Sequence, residues 1–497
     1  MTIWLLQLRQ LRQLRQLRQL RQLRQLRRVF VLRGAGKFVS LALVGSAMLA
    51  GCSLGPEYQR PDAPLPSAWR EGSAAEAANW PSADWWHGFG SAELDQHIRQ
   101  AKRTNNDLAA AIARVREADA LATVAGASLL PSVGMNATAL NERVQSTSGN
   151  YANFRQYSPQ LNASYMIDFW GKGRATQAAA IAAATASRHD QATVELTVMS
   201  SVALSYFQSI ALRDRLAVAE ANLANAENIL KGLRRLLAVG ISTALDVAQQ
   251  ETTVSALSAT IPPLRQQLRQ TVNALAILTG QPPETLEATN ATLASLSLPP
   301  VRPGLPSELL TRRPDIASAE AQLVAANANI SVARAAFYPN IQLTAYSGYA
   351  STALSTLLQP ASAIRYLAVG LSQPIFDSGA LKGQYAYTQA RYDELLANYR
   401  KVILAAFGNV EDALVAVQQT VELERRQEIT VAKASRAQEL TQTQMRSGTV
   451  NVLTVLSSQA ALYSARDALV QARFSHMQAL VNLFSALGGG WQKELAT

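Results

Sequence analysis

The chain holds one cysteine in 497 residues, four histidines and only 6% aromatic residues. A single thiol permits no internal disulfide and no multi-thiolate metal site. His87, His97, His189 and His476 are scattered along the chain. There is no His-Glu-x-x-His pair, no Gly-x-Ser-x-Gly elbow and no Gly-x-x-x-x-Gly-Lys loop, which excludes those metalloprotease, hydrolase and nucleotide-binding arrangements. Proline is missing between Pro159 and Pro262 and again after Pro374, so nothing there forces a helix to break. No acid occurs in residues 1–51.

That last absence explains the net charge. Residues 1–51 carry nine Arg and one Lys out of a formal +11, so the remainder is nearly neutral, and a nucleic-acid partner is not indicated. Leu8 to Arg28 is a three-residue Leu-Arg-Gln repeat, which turns each Leu by about 60° on a helix and builds no lasting apolar face. It reads either as a basic arm for anionic polymer or lipid or, the reading preferred here, as a translated nucleotide repeat upstream of the true start. A secretion signal follows: Arg33 and Lys37, then an apolar run from Phe38 to Ala50, shorter than the roughly 20 residues a membrane helix needs. It ends Leu49-Ala50-Gly51-Cys52, a lipobox pattern in which cleavage before Cys52 leaves that residue as the lipidated N-terminus. Ser53 beside it resembles lipoproteins sent on to the outer membrane.

What the chain does have is itself, twice. Asp107 to Gly280 reads onto Asp315 to Gly488 at a constant offset of 208, pairing Pro131 with Pro339, Gly171 with Gly379, Gly240 with Gly448 and Gly280 with Gly488. One folding unit is used twice, and a single catalytic pocket gives no reason for that.

Each copy mixes two periods. Leu212, Leu216, Ala219, Leu223, Ala226, Leu230, Leu233 and Leu237 are spaced 4 and 3 in alternation, the seam of a coiled coil. The helix that carries them, about Arg174 to Val239, is about 100 Å long. Gly240 stops it and a second helix starts near Thr243; the same turn recurs at Gly448, so each pair of helices is an antiparallel hairpin. Elsewhere apolar residues alternate with polar ones: Val133, Met135, Ala137 and Ala139; Leu161, Ala163, Tyr165, Ile167 and Phe169; Ile341, Leu343 and Ala345; Leu367, Val369 and Leu371. Outer-membrane barrel strands and a soluble sheet with one buried face both give this pattern. The lipid signal favours the barrel. Four strands cannot close one, and open edges are not tolerated in lipid, so the chain has to oligomerise.

The expected organisation is a low-complexity extension and signal over 1–51 and an extended arm over 52–90. A first repeat covers 91–280, with strands near 132–146 and 159–170, joined by the polar loop Thr147 to Ser158, and a helical turn at 239–247. After a linker over 281–306, a second repeat covers 307–488, with strands near 340–350 and 365–376 and a turn at 447–455, and a tail covers 489–497. Trp80, Trp85, Trp86 and Phe89 read as anchors of the arm, Gly171-Lys172-Gly173 as a strand-to-helix junction, and Asp315 beside Arg313 as a helix cap with a flanking charge, Pro314 lying just ahead of the helix.

Gly55-Pro56-Glu57-Tyr58, Trp85-Trp86 with Phe89, Leu305-Pro306-Ser307-Glu308-Leu309-Leu310, Arg312-Arg313-Pro314-Asp315-Ile316 and Leu487-Gly488-Gly489-Gly490-Trp491 resemble the outer membrane factors of tripartite efflux systems, the TolC-like family, and the lipobox resembles its NodT or OprM lipoprotein branch. The resemblance covers about Cys52 to Trp491. It implies a mixed α and β fold with long antiparallel coiled-coil hairpins and four strands per chain. Three chains would form a twelve-stranded outer-membrane β-barrel on a twelve-helix tunnel with a large periplasmic part, anchored by lipid at Cys52.

It further implies a passive efflux duct, neither an enzyme nor a cofactor protein, that works as a homotrimer in outer-membrane lipid with a periplasmic adaptor and an inner-membrane RND-type pump. Its cargo would be drugs or other small toxic molecules. The same duct in type I protein secretion or metal-ion efflux, and a non-conducting periplasmic coiled-coil lipoprotein, are the alternatives. Carried over residue by residue, Gly240, Ile241, Asp246, Val247, Gly448, Thr449 and Val450 are the periplasmic tip and adaptor contact. Asp246 resembles an acidic gate residue of the family. Val450 stands where the family has a base, and Thr454 and Ser457 where it has acids, so an apolar gate of Leu245, Val452 and Leu453 beside Asp246 is expected instead.

Overall fold

The computed structural model describes residues 55–62, 66, 68–70, 79–145, 149, 151–301 and 303–492. The signal segment and Cys52 lie outside the described residues. The chain forms two compact units, and neither is one of the repeats. One is built on Gly126–Thr176 and Ile330–Tyr385, the other on Glu57–Ala125, Gln177–Asn329 and Ala386–Thr497, so each takes equivalent parts of both copies.

The duplication is carried by the elements themselves. After α1 (Ala92–Thr104), the first copy runs α2 (Asn106–Ala127), β1 (Ser132–Gln145), β2 (Tyr151–Ile167), α3 (Lys172–Ala238) and α4 (Ala244–Leu278). The second runs α5 (Pro314–Ala335), β3 (Asn340–Tyr349), β4 (Ala363–Ser372), α6 (Ala380–Arg446) and α7 (Val452–Ala486). The paired helices α3 and α6 each have 67 residues, and α4 and α7 each have 35.

The strand unit is one antiparallel sheet in the order β1-β2-β3-β4. Its register places apolar residues side by side: Val133, Ala163, Ala345 and Leu367 in one row across all four strands, then Tyr165, Leu343 and Val369, and Ile167, Ile341 and Leu371, across β2, β3 and β4. Because the side-chain period is two, this one register puts the whole apolar set on one face. That face is bare: Val133 is 71% exposed, Leu367 78% and Leu371 70%. The other face carries rows such as Ser132, Ser164 and Thr344.

β2 differs from expectation, beginning at Tyr151 rather than Pro159 and taking most of the expected loop into the strand. Pro159 pairs with Ala137 on β1. On the β3 side the ladder stops at Gln160 opposite Gly348 and resumes in the same register where Tyr157 and Ser351 exchange backbone hydrogen bonds of 2.8 and 3.0 Å. The gap falls where Pro159 has no N–H to donate. β4 ends at Ser372, two residues before Pro374, rather than at 376.

The helical unit has two main cores. Trp85, Trp86 and Phe89, on the short 3-10 turn Trp85–Phe89, pack with Leu94, Phe207 and Phe484. Trp85 stacks on Phe484 at 5.0 Å between centroids, and Phe89 meets Phe207 at 4.8 Å. Each such fully buried side chain stabilises by roughly 1.5–3 kcal/mol. Trp69, Leu309 and Ile316 pack against Tyr399, Ile403 and Phe407 in the second core. Trp80 donates its indole N–H to Glu308 at 2.7 Å, and Trp69 donates to the Gly304 carbonyl at 2.7 Å, so these tryptophans tether the N-terminal arm. Along α3, Leu212 and Ala219 of the heptad seam pack with Ile261 and Leu264 of α4, while Leu237 at its end is 38% exposed.

In each copy a latch ties the residue just before α2 or α5 to the last residue of that copy's closing helix, α4 or α7. Asn105 donates to the Leu278 carbonyl at 2.9 Å, and the equivalent Arg313 donates to the Ala486 carbonyl at 2.9 Å while forking onto Asp315 at 3.0 and 2.6 Å. Helix α5 starts at Pro314, not after it, which makes Asp315 a first-turn acid rather than the cap itself. Beside the latches, Gly280 and Gly488 hold φ of 66° and 88°, and a Cβ on either would collide with the Thr104 or Arg312 carbonyl.

Gly448 has the same positive φ, 73°, with nothing within 4 Å of where its Cβ would be. Gly488→Ala is therefore expected to lower the melting temperature of the purified protein well beyond Gly448→Ala, which adds only the left-handed strain of about 1–2 kcal/mol. Equal shifts would show that the close approach at Gly488 contributes nothing.

Candidate functional site

Among the described residues no cluster of titratable or metal-ligating side chains stands out as a reaction centre. Among the described residues no group of three or more His, Cys, Asp or Glu is placed to hold a metal ion. His476 accepts or donates a 2.8 Å hydrogen bond with Glu424, which also receives Arg473, an arrangement that stitches α6 to α7. Asp315 is occupied by Arg313 and by the Ile316 N–H at 2.9 Å. The surfaces left for function are the turns that end the long helices and the apolar face of the sheet.

Both turns are built alike. Gly240, at φ 77°, donates to the Leu237 carbonyl at 3.0 Å while Ile241 donates to Leu236 at 2.9 Å; Gly448 and Thr449 repeat this on Met445 and Gln444, both at 3.0 Å. This two-bond closure satisfies the last carbonyls of α3 and α6 and reverses the chain. The following helices are capped differently. Thr243 and Asp246 form a reciprocal box: the Asp246 N–H donates to Thr243 Oγ1 at 3.2 Å, and the Thr243 N–H donates to Asp246 Oδ2 at 2.9 Å. In the second copy Asn451 alone accepts from the Thr454 N–H at 3.0 Å.

The structure brings Gly240, Ile241, Leu245, Gly448, Thr449 and Leu453 to the exposed surface of the turns; Ile241 is 74% exposed and Leu245 65%. Val450 and Asp246 are half-buried. Hydrogen bonds from the Thr243 backbone, the Thr243 hydroxyl and the Ser242 hydroxyl hold the Asp246 carboxyl below the usual carboxylate range. Val247 corrects the expectation of a contact residue. It is 9% exposed and packs with Leu230 and Leu233, with Val452 and Met445 against the same cluster, because it sits where α4 turns its apolar seam toward α3. Val452 is likewise half-buried and braces the turn.

Two features went unread in the sequence. Thr243-x-x-Asp246 is a capping-box pattern that spacing alone would have found. Aromatic side chains also gather where strands give way to helices: Trp170 meets Phe169 and Tyr338 at 4.8 Å each, and Phe337 meets Tyr385 at 6.1 Å. Phe376, four residues past the end of β4, is 87% exposed. An aromatic belt at one border of an apolar band marks a membrane interface. The doublets Phe169-Trp170 and Phe337-Tyr338 were the available signal in a chain so poor in aromatics.

From the belt to Tyr157 on β2 the band covers about ten residue steps, which at about 3.4 Å each and a tilt of about 40° is about 25 Å, the apolar height of an outer-membrane barrel. No described helix is long and apolar enough to cross a membrane.

The comparisons with known proteins agree. The description of the outer membrane efflux protein family matches residues 97–281 and again 305–489, two equal stretches at the repeat offset. The pyoverdine export outer membrane protein OpmQ of Pseudomonas aeruginosa is 40% identical over 466 residues, covering 92% of this chain and 98% of its own. The cation efflux system protein CusC of Escherichia coli is 32% identical over 451 residues, covering 90% and 97%. Among solved structures, the outer-membrane channel OprN superposes with a TM-score of 0.83 at 26% identity, over 89% of this chain and 100% of that one. The fold is that of the trimeric outer-membrane channels, with four strands per chain contributing to the barrel. The chain belongs to the outer membrane efflux protein family and is an outer-membrane channel of tripartite efflux.

Proposed function

We propose that the protein is a passive duct for small organic molecules, docked at its helical turns on a periplasmic adaptor and supplied by an RND-type pump in the inner membrane. The observation that carries this reading is the in-register apolar face of the sheet, which has no use in a periplasmic rod and every use in a barrel wall. The energy comes from the pump, so the duct itself needs no catalytic group or cofactor. Gly240, Ile241, Gly448, Thr449 and Val450 form the adaptor contact, with Val247 and Val452 as the packed floor beneath them. Leu245 and Leu453 form the gate: they are exposed, apolar and beside the turns. Asp246 supports them as a helix cap rather than as a ring of free acids, since its carboxylate is already bonded within the turn. Exposed apolar side chains around a narrow wet path close it by dewetting.

A small organic cargo is supported by the relatives: OpmQ is named for pyoverdine export and TtgF of Pseudomonas putida, 33% identical, for toluene efflux. The lipid anchor proposed at Cys52 lies outside the described residues and rests on the lipobox.

Leu245→Asn combined with Leu453→Asn is expected to raise single-channel conductance in planar bilayers several-fold over the parent; an unchanged conductance places the gate elsewhere, and silence of both proteins defeats the duct. Mass spectrometry of the mature protein should find an acylated Cys52 at its N-terminus, and a Cys52→Ser variant should lose the acyl mass. Deleting the gene should sensitise cells to amphipathic antibiotics and dyes. Unaltered drug susceptibility with loss of metal tolerance or of a secreted protein would replace the cargo assignment while leaving the duct intact.

A further inference from the structure

The two β-hairpins are unequal. β1 and β2 have 14 and 17 residues where β3 and β4 have 10 each, so the first hairpin continues past the apolar band at its turn, the end away from the helix connections. The register stays continuous there, yet the two faces exchange character. On the face that bears Val133, Met135 and Leu161, Asn141 comes to lie opposite Arg155, and Arg143 opposite Asn153. Glu142 falls on the other face, opposite Phe154, with Leu140 and Val144.

The result is a checkerboard of two guanidinium and two amide groups with no carboxylate on its face. Arg143 and Arg155 are diagonal neighbours, about 7–8 Å apart on such a ladder. The guanidinium of Arg143 lies over the Tyr151 ring at 4.7 Å, which restrains it. Among the described residues no ion pair joins either arginine to a carboxylate. Two like charges this close repel, and an anion seated between them turns that repulsion into attraction for both. Planar guanidinium groups present forked donors that match phosphate oxygens, and the flanking amides add donors on both sides. Nothing comparable exists on β3 and β4, where the same face ends in Ser347 opposite Arg365 and Tyr349 opposite Ala363.

The site lies on the outward face of the barrel wall, just past the apolar band, at the level of the outer leaflet's headgroups. We propose that Arg143, Arg155, Asn141 and Asn153 bind the phosphorylated headgroup of an outer-leaflet glycolipid. The hairpin thereby holds the channel in its leaflet and offsets the repulsion between the two arginines. This rests on the outer-membrane location, not on the identity of pump or cargo.

The test uses the full-length trimer in detergent, with bis-phosphorylated hexa-acyl lipid A as the probe, read by native mass spectrometry over a concentration series. Arg143→Gln combined with Arg155→Gln should weaken binding by about tenfold or more, the loss of two charge-assisted contacts. Monophosphoryl lipid A should bind the parent more weakly than the bis-phosphorylated form. Equal affinity of parent and double variant overturns the proposal. So does displacement of lipid A by millimolar inorganic phosphate, which would make this a free-anion site. Bilayer conductance and heat-resistant trimers should be unaltered in the double variant. Should it not assemble, Arg143→Lys with Arg155→Lys keeps charge and loses the fork; undiminished binding there equally overturns the assignment.

Discussion

Inside hydrocarbon no water is available to backbone N–H and C=O groups, and each one left unpaired costs several kcal/mol. A four-stranded sheet whose outer strands β1 and β4 have no further partner strand among the described residues cannot satisfy that condition alone. It is satisfied when three chains pair β4 of one with β1 of the next and the edges vanish. Oligomerisation is thus a consequence of where the apolar face lies, and the hollow interior is a consequence of oligomerisation.

Duplication makes this assembly economical, and its departures from symmetry show where the copies have separate work. The paired long helices keep identical lengths and the paired turn glycines all keep a positive φ, 77° and 73° at Gly240 and Gly448 and 66° and 88° at Gly280 and Gly488. Asn105 and Arg313 perform one task with different chemistry: the neutral amide caps α2 through the Leu108 N–H, while the arginine needs Asp315 to neutralise a charge that is only 9% exposed. A charge so placed is tolerable only when paired and hydrogen-bonded. The helical turns diverge in the same way, a two-way capping box in one copy and a single Asn cap in the other. Pro262 and Pro263 interrupt the hydrogen-bond ladder of α4, where α7 has Val470 and Gln471. Pro263 lines a cavity of about 680 Å³ with Asn222 and Tyr463.

Much of the fold was legible because its periodicities are long. Eight residues from Leu212 to Leu237 at coiled-coil spacing admit one reading, and the strands showed themselves through strict alternation. Pro159 misled the placement of β2, since a proline inside a strand that pairs on both sides is improbable until the ladder is seen to skip that position. The tip was only partly legible: Ile241, Leu245 and Leu453 are exposed as their place at a turn suggests, but Val247 is buried, and nothing in a string of letters distinguishes the seam side of a helix's first turn from its outer side. Asp246 was read by resemblance as a gate acid, and its part in the capping box, which the Thr243-x-x-Asp246 spacing carries, went unread.

Sequence alone determined the repeat, the helix and strand periods and the lipobox pattern, because these depend on residue identity and spacing within one segment. Tertiary structure decided what joins across distance. The register that sets Val133 beside Ala163, Ala345 and Leu367 is a four-segment agreement that no single strand contains. The latches from Asn105 to Leu278 and from Arg313 to Ala486 each span 173 residues. The pairing of Arg143 and Arg155 on one face exists only because the hairpin holds its register beyond the apolar band. Local patterns fix which face of an element is apolar, but the partner of that face is chosen by packing, which a linear order of residues does not encode.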